Sequence, residues 1–104
     1  MARRNREVVD RCLSEIISIL SHVLQGKKYR VYLFGSRAAG NETETSDLDI
    51  AVSAAEDVSN ELSLAREMIE ESNIPFLVDL VDLRDVPEVL VRRVREEGIL
   101  IWGT

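Results

Sequence analysis

Apolar positions recur along this chain first with helical spacing, then in short dense runs. From Glu7 to Gln25, Val9, Cys12, Leu13, Ile16, Leu20, Val23 and Leu24 return every three or four residues, the signature of one face of an amphipathic helix. Gly26 suits its C-terminal cap. Arg3, Arg4 and Arg6 crowd the N-terminal end, where the helix dipole disfavours cations, so a frayed, solvated start is expected. Lys27 to Arg30 form a basic turn into a short apolar run, Val31 to Phe34, that stops at Gly35-Ser36. A second apolar run, Leu48 to Val52, opens with Asp47 and Asp49. Val58 to Ser72 reads as a second helix, with Leu62, Ala65, Met68 and Ile69 inward, ended by Asn73-Ile74-Pro75 because the residue before proline avoids the helical region. Phe76 to Leu83 is nearly all apolar, as in a buried strand. Asp85 to Glu97 reads as the last helix, with Asp85 as N-cap, Pro87 in the first turn and Gly98 after the end. Ile99 to Trp102 is an apolar tail, either an edge strand or a contact surface for another chain.

The order of these elements restricts their pairing. The connection from Gly35 to Ser46 is polar and loop-like, and a parallel crossover needs a dozen residues or more, normally a covering helix. The first two strands are therefore expected to be antiparallel neighbours, which sets Gly35-Ser36 beside Asp47 and Asp49 at one end of the sheet. The next strand–helix–strand unit is expected to be a right-handed parallel crossover. Its strand then starts at the same end. The fold class that follows is α/β (α+β): a small mixed sheet of about four strands flanked by helices.

Composition narrows the function classes. The 104 residues are expected to form one domain, 1–104, with a modest core. A net charge of −6 argues against direct nucleic-acid binding, which normally uses a basic surface. Cys12 is the only cysteine and His22 the only histidine, so neither a disulfide within the chain nor a thiolate metal site is expected. Cys12 reads as core and His22 as a residue on the helix flank. No apolar stretch approaches the ~20 residues of a membrane span, and the N-terminus lacks the apolar segment of a signal peptide. A reducing, cytoplasmic location fits.

The candidate chemistry lies where the dense runs meet the polar turn. On a strand, Asp47 and Asp49 project from the same face, about 6–7 Å apart. Such carboxylates raise each other's pKa, and Mg²⁺, a hard cation that prefers oxygen ligands, relieves the conflict. The Gly35-Ser36 turn offers N–H groups and a hydroxyl to phosphate. Asp79 and Asp82 interrupt the third run three residues apart, so they face opposite sides of a strand. Asp79, nearer the strand start, is the expected third carboxylate, and Asp82 is expected at a solvated turn. Three carboxylates at one sheet end can hold two Mg²⁺ ions, which suits in-line phosphoryl transfer, and one carboxylate can accept the proton of an attacking hydroxyl.

Gly35-Ser36-Arg37-Ala38-Ala39-Gly40 followed by Ser46-Asp47-Leu48-Asp49 resembles the G-S-x-A-x-G and S-D-x-D motifs of the DNA polymerase β-type nucleotidyltransferase superfamily. In size and motif spacing the chain is most similar to the minimal nucleotidyltransferase, or MNT, domains. The resemblance spans about Val8 to Trp102. It implies the polymerase β-like fold and transfer of a nucleoside monophosphate from an NTP such as ATP to a hydroxyl. It assigns nucleotide binding to Gly35, Ser36, Arg37 and Ser46, and Mg²⁺ ligation to Asp47, Asp49 and Asp79, with Asp79 also helping to activate the acceptor. Many members carry arginine where Ala39 stands, and Arg37 could partly substitute for it.

Minimal domains of this kind often accompany a HEPN-domain partner in a toxin–antitoxin pair, in which the nucleotidyltransferase adenylylates a tyrosine of the HEPN ribonuclease. The resemblance thus implies an antitoxin that acts on a HEPN toxin by adenylylation. Two alternatives stay open: neutralisation by binding alone, and nucleotidyl transfer to a small-molecule hydroxyl. A homo-oligomer is also open, as are the base preference and the choice of Asp79 over Asp82.

Overall fold

The computed structural model describes residues 2–35 and 47–103, with side chains from Arg6 onward. The elements run α1 (Ala2–Val23), β1 (Tyr29–Phe34), β2 (Leu48–Ala54), α2 (Ser59–Glu70), β3 (Val78–Asp82), α3 (Glu88–Glu97) and β4 (Ile99–Trp102). The four strands form one mixed sheet in the order β3-β2-β1-β4. As the short polar connection requires, β1 and β2 are antiparallel, with Phe34 opposite Asp49. β2 and β3 are parallel, joined through α2, with Asp49 level with Asp79. β4 returns antiparallel to β1 and forms one edge of the sheet.

Alternation along the strands divides the core in two. Val31, Leu33, Leu48, Ile50, Val52 and Leu80 face the helical layer of α1 and α2, where Ile16, Leu20, Leu24, Leu62 and Ala65 are buried against them. Tyr32 and Ala51 face the other way and pack with Leu83, Val91 and Val94 under α3. The periodicity of α1 selects its inward face correctly, Cys12 is in the core and His22 is exposed. Gly26 takes a positive φ of 82° just past α1, a conformation in which only glycine avoids a steric penalty. Among the described residues no helix is long and apolar enough to cross a membrane.

Four expectations change. α1 begins at Ala2, so the basic start lies within the helix rather than before it. The N-cap of α3 is Pro87 rather than Asp85, whose N–H instead closes a turn onto the carbonyl of Asp82. β3 is an edge strand, not a strand buried throughout: Leu77 and Asp79 are exposed and burial begins at Leu80. Asp82 is buried at 5% exposure rather than held at a solvated turn. The reason is that the ladder continues through it: Asp82 is level with Val52, and the Leu83 N–H donates to the Val52 carbonyl, so the chain turns only after Asp82 has been covered.

Candidate active site

β1 ends at the sheet end where β2 and β3 begin. Gly35, immediately after β1, has φ of 78°. A Cβ there would overlap the Asp49 carboxylate Oδ2 and lie 3.1 Å from its Cγ. The glycine therefore meets two demands at once: a left-handed backbone and room for a carboxylate lying against its Cα. This is the close approach that the Gly-Ser turn requires if its backbone is to line a site.

Asp49 is half-buried near the start of β2, and its register partner Asp79 is exposed near the start of β3. Residues level with one another in a parallel pair share a face, so the two carboxylates are cross-strand neighbours on the α3 side of the sheet. Asp47 lies two residues before Asp49, at the exposed lead-in to β2. Burial pushes the Asp49 carboxyl above its ordinary value, and the charges of Asp79 and Asp47 push it further. The three acids thus lie near enough to interact. They are not closed into a chelate: among the described residues, no group of three or more His, Cys, Asp or Glu side chains is gathered so as to hold a metal ion. Ser36, Arg37 and Ser46, assigned to nucleotide binding by resemblance, lie outside the described residues.

Asp82 is separated from this rim by parity and by depth. It faces the α1–α2 layer with Leu80, its Oδ1 accepts the Arg84 backbone N–H at 2.9 Å, and its Oδ2 has no hydrogen-bond partner among the described residues.

Sequence reasoning passed over Arg66. Its Nε and a terminal guanidinium nitrogen donate to the Leu80 carbonyl at 3.2 and 2.9 Å, tying α2 to the edge strand next to Asp79. A single arginine on a helix reads as a solvated charge, and no local pattern signals that its fork reaches a strand. The contact holds β3, and Asp79 with it, in place beside β2.

A family model described as "Polymerase beta, Nucleotidyltransferase" matches residues 14–104. The protein adenylyltransferase MntA of Shewanella oneidensis is 42% identical over 76 residues, which cover 71% of this chain and 53% of that protein. The chain thus spans about half the length of this relative. A crystal structure of a toxin–antitoxin with AMP-PNP superposes with a TM-score of 0.66 at 38% identity, covering 86% of this chain and 73% of that one. A structure of a tri-AMPylated Shewanella oneidensis HEPN toxin in complex with its MNT antitoxin gives a TM-score of 0.65 at 34% identity, covering 91% and 72%. With the family's fold and a family match over most of its length, the chain belongs to the polymerase β nucleotidyltransferase family.

Proposed function

We propose that the protein is a cytoplasmic protein adenylyltransferase that transfers AMP from ATP to a hydroxyl of a HEPN-domain toxin and so acts as its antitoxin. The observation that carries this reading is the register of Asp49 with Asp79, on the rim that Gly35 leaves open. The names of the relatives support the acceptor class: one is called a protein adenylyltransferase, and one neighbouring complex contains an AMPylated HEPN toxin.

The donor set fits Mg²⁺. Asp47, Asp49 and Asp79 offer hard oxygen ligands of like charge; burial first, and the charges of Asp79 and Asp47 after it, raise the Asp49 carboxyl above its ordinary value, and a divalent cation offsets the part that comes from those charges. These three residues would hold it. When bound, Mg²⁺ supplies charge neutralisation for the phosphates and the developing pyrophosphate. The residues do the remainder. In this reading Gly35 and Ser36 grip the phosphates through backbone N–H groups and a hydroxyl, and Arg37 and Ser46 bind the nucleotide with them. The acceptor oxygen forms a bond to the α-phosphorus of ATP as the bond from that phosphorus to the oxygen bridging toward the β-phosphate breaks. Pyrophosphate leaves, and the acceptor proton passes to the exposed carboxylate of Asp79. Exposure of Asp79 leaves it open to a hydroxyl presented by a protein surface.

The test is incubation of the full chain with ATP labelled at the α-phosphate, Mg²⁺ and a HEPN-domain toxin. Label should enter that protein and should be lost with Asp47→Asn or Asp49→Asn. Persistent labelling by both variants would falsify the assignment.

A further inference from the structure

At the opposite end of β1 from the carboxylates, roughly 17 Å away along the strand, lies an open groove of about 910 Å³. It is lined by the basic turn Lys27–Lys28, by Tyr29 and Arg30 of β1, by residues 53–55 at the end of β2, by Arg95 of α3, and by Trp102 and Gly103 at the end of β4. Four cations converge here in a chain whose net charge is −6. Lys27 is held by Glu56 and Glu61 at 3.3 and 3.6 Å. Lys28, Arg30 and Arg95 have no ion pair among the described residues. Like charges with no ion pair among the described residues repel in one concavity, and an anionic ligand offsets that repulsion.

The wall is built rather than incidental. Tyr29 and Trp102 stack with ring centroids 6.5 Å apart. Gly103, at φ of 95°, lies so close to Arg30 that an added Cβ would be 3.2 Å from its Cα and 2.8 Å from the Tyr29 carbonyl oxygen. The groove also runs into the open edge of the sheet. Among the described residues β4 pairs only with β1, and its Ile99, Leu100 and Trp102 are each a little under half exposed.

We propose that this groove and the β4 edge together bind an extended acidic segment of a partner protein. The segment adds a strand to β4 through its backbone, and its carboxylates meet Lys28, Arg30 and Arg95. A polynucleotide fits less well. The two aromatic rings are stacked on each other, which hides their inner faces from bases, and a strand edge offers backbone pairing that only a polypeptide can use. The proposal does not depend on nucleotidyl transfer, because no groove residue belongs to the carboxylate rim.

The probe is a fluorescein-labelled peptide of about eight residues alternating glutamate and valine, long enough to cover a short strand. Its binding to the full chain is followed by anisotropy against a labelled oligouridylate of the same length. Lys28→Glu/Arg30→Glu should weaken peptide binding at least about tenfold, whereas Arg92→Glu/Arg93→Glu, with the same charge change away from the groove, should weaken it less than about threefold. Lys28→Glu alone, at an exposed site, should show the same direction if the double variant loses its circular-dichroism signature. Absence of peptide binding, equal loss in both double variants, tighter binding of the oligouridylate, or self-association of the chain that excludes the peptide would each overturn the proposal.

Discussion

Gly35 and Asp49 occupy one another's space: the carboxylate of Asp49 lies where a side chain at Gly35 would begin. The turn that ends β1 and the acid that opens β2 are therefore a single construction, set by the antiparallel register that places Phe34 opposite Asp49. Gly35→Ala imposes two penalties. The φ of 78° costs a non-glycine residue about 1–3 kcal/mol. The new methyl must also displace Asp49, and misplacement of a reacting group by about 1 Å can cost 10²-fold in rate. Adenylyl transfer by Gly35→Ala should fall by about that factor or more, while a thermal melt shows a folded protein of modestly reduced Tm. A variant with unimpaired activity would show that the Asp49 carboxylate has no fixed position in the reaction.

Charge at Asp49 works against the fold. Its carboxyl is pushed above the ordinary value by burial and by Asp79 and Asp47, so the folded state binds a proton more readily than the unfolded state does. Stability then falls as pH rises from the unfolded value through the folded one, and the loss is complete above the folded pKa. Asp49→Asn should accordingly raise Tm by a few degrees at pH 7 without divalent cation. The advantage should fade on acidification through the carboxylate range. Added Mg²⁺ should reverse the ranking, because a ligand bound only by the folded state contributes about 2.7 kcal/mol at one hundred times its Kd. Differential scanning fluorimetry with and without Mg²⁺ separates the two effects. An Asp49→Asn protein that melts lower than the parent in chelator would contradict the electrostatic account.

Asp79 and Asp82 separate by parity and by depth. Asp79→Asn should lower the rate of AMP transfer by about 10²-fold or more if it accepts the proton. Asp82→Asn retains an oxygen for the Arg84 N–H and lies away from the carboxylate rim, so it should leave the rate within about threefold of the parent. Parallel rate measurements on the two variants decide between them. Equal losses would mean that the third carboxylate has been assigned to the wrong residue.

How much of this was legible in the sequence depends on the range of the interaction. Helical spacing found the buried faces of α1 and α2, since Ile16, Leu20, Leu62 and Ala65 report a local period. The length and polarity of the connection after Gly35 gave the antiparallel pairing of β1 and β2, and hence the shared end of Gly35 and Asp49. The burial of Asp82 did not follow, because it depends on where the ladder stops and the chain turns. Nor did the edge position of β3: apolar density in FLVDLVDL reports that both faces become covered, by Leu80 on one side and Val81 and Leu83 on the other, but not that one edge lacks a strand. Ser36, Arg37 and Ser46, which resemblance alone assigned, lie outside the described residues.

Arg66 compensates for that open edge. Its two donors satisfy the Leu80 carbonyl, one residue from Asp79 and immediately before burial of β3 is complete. A hydrogen bond from a charged donor contributes about 1.5–3 kcal/mol, and this one also joins the crossover helix to the strand that it delivers. Arg66→Ala should therefore lower stability by about that amount. It should also depress adenylyl transfer, through β3 rather than through any contact with substrate. Arg66→Lys keeps the charge but not the fork, so it should recover only part of the stability. The discriminating measurement is hydrogen exchange: amides of β3 should lose protection in Arg66→Ala while those of β1 and α1 keep theirs. Loss of protection spread evenly over the sheet would mean that Arg66 supports the fold at large and has no special hold on the strand that carries Asp79.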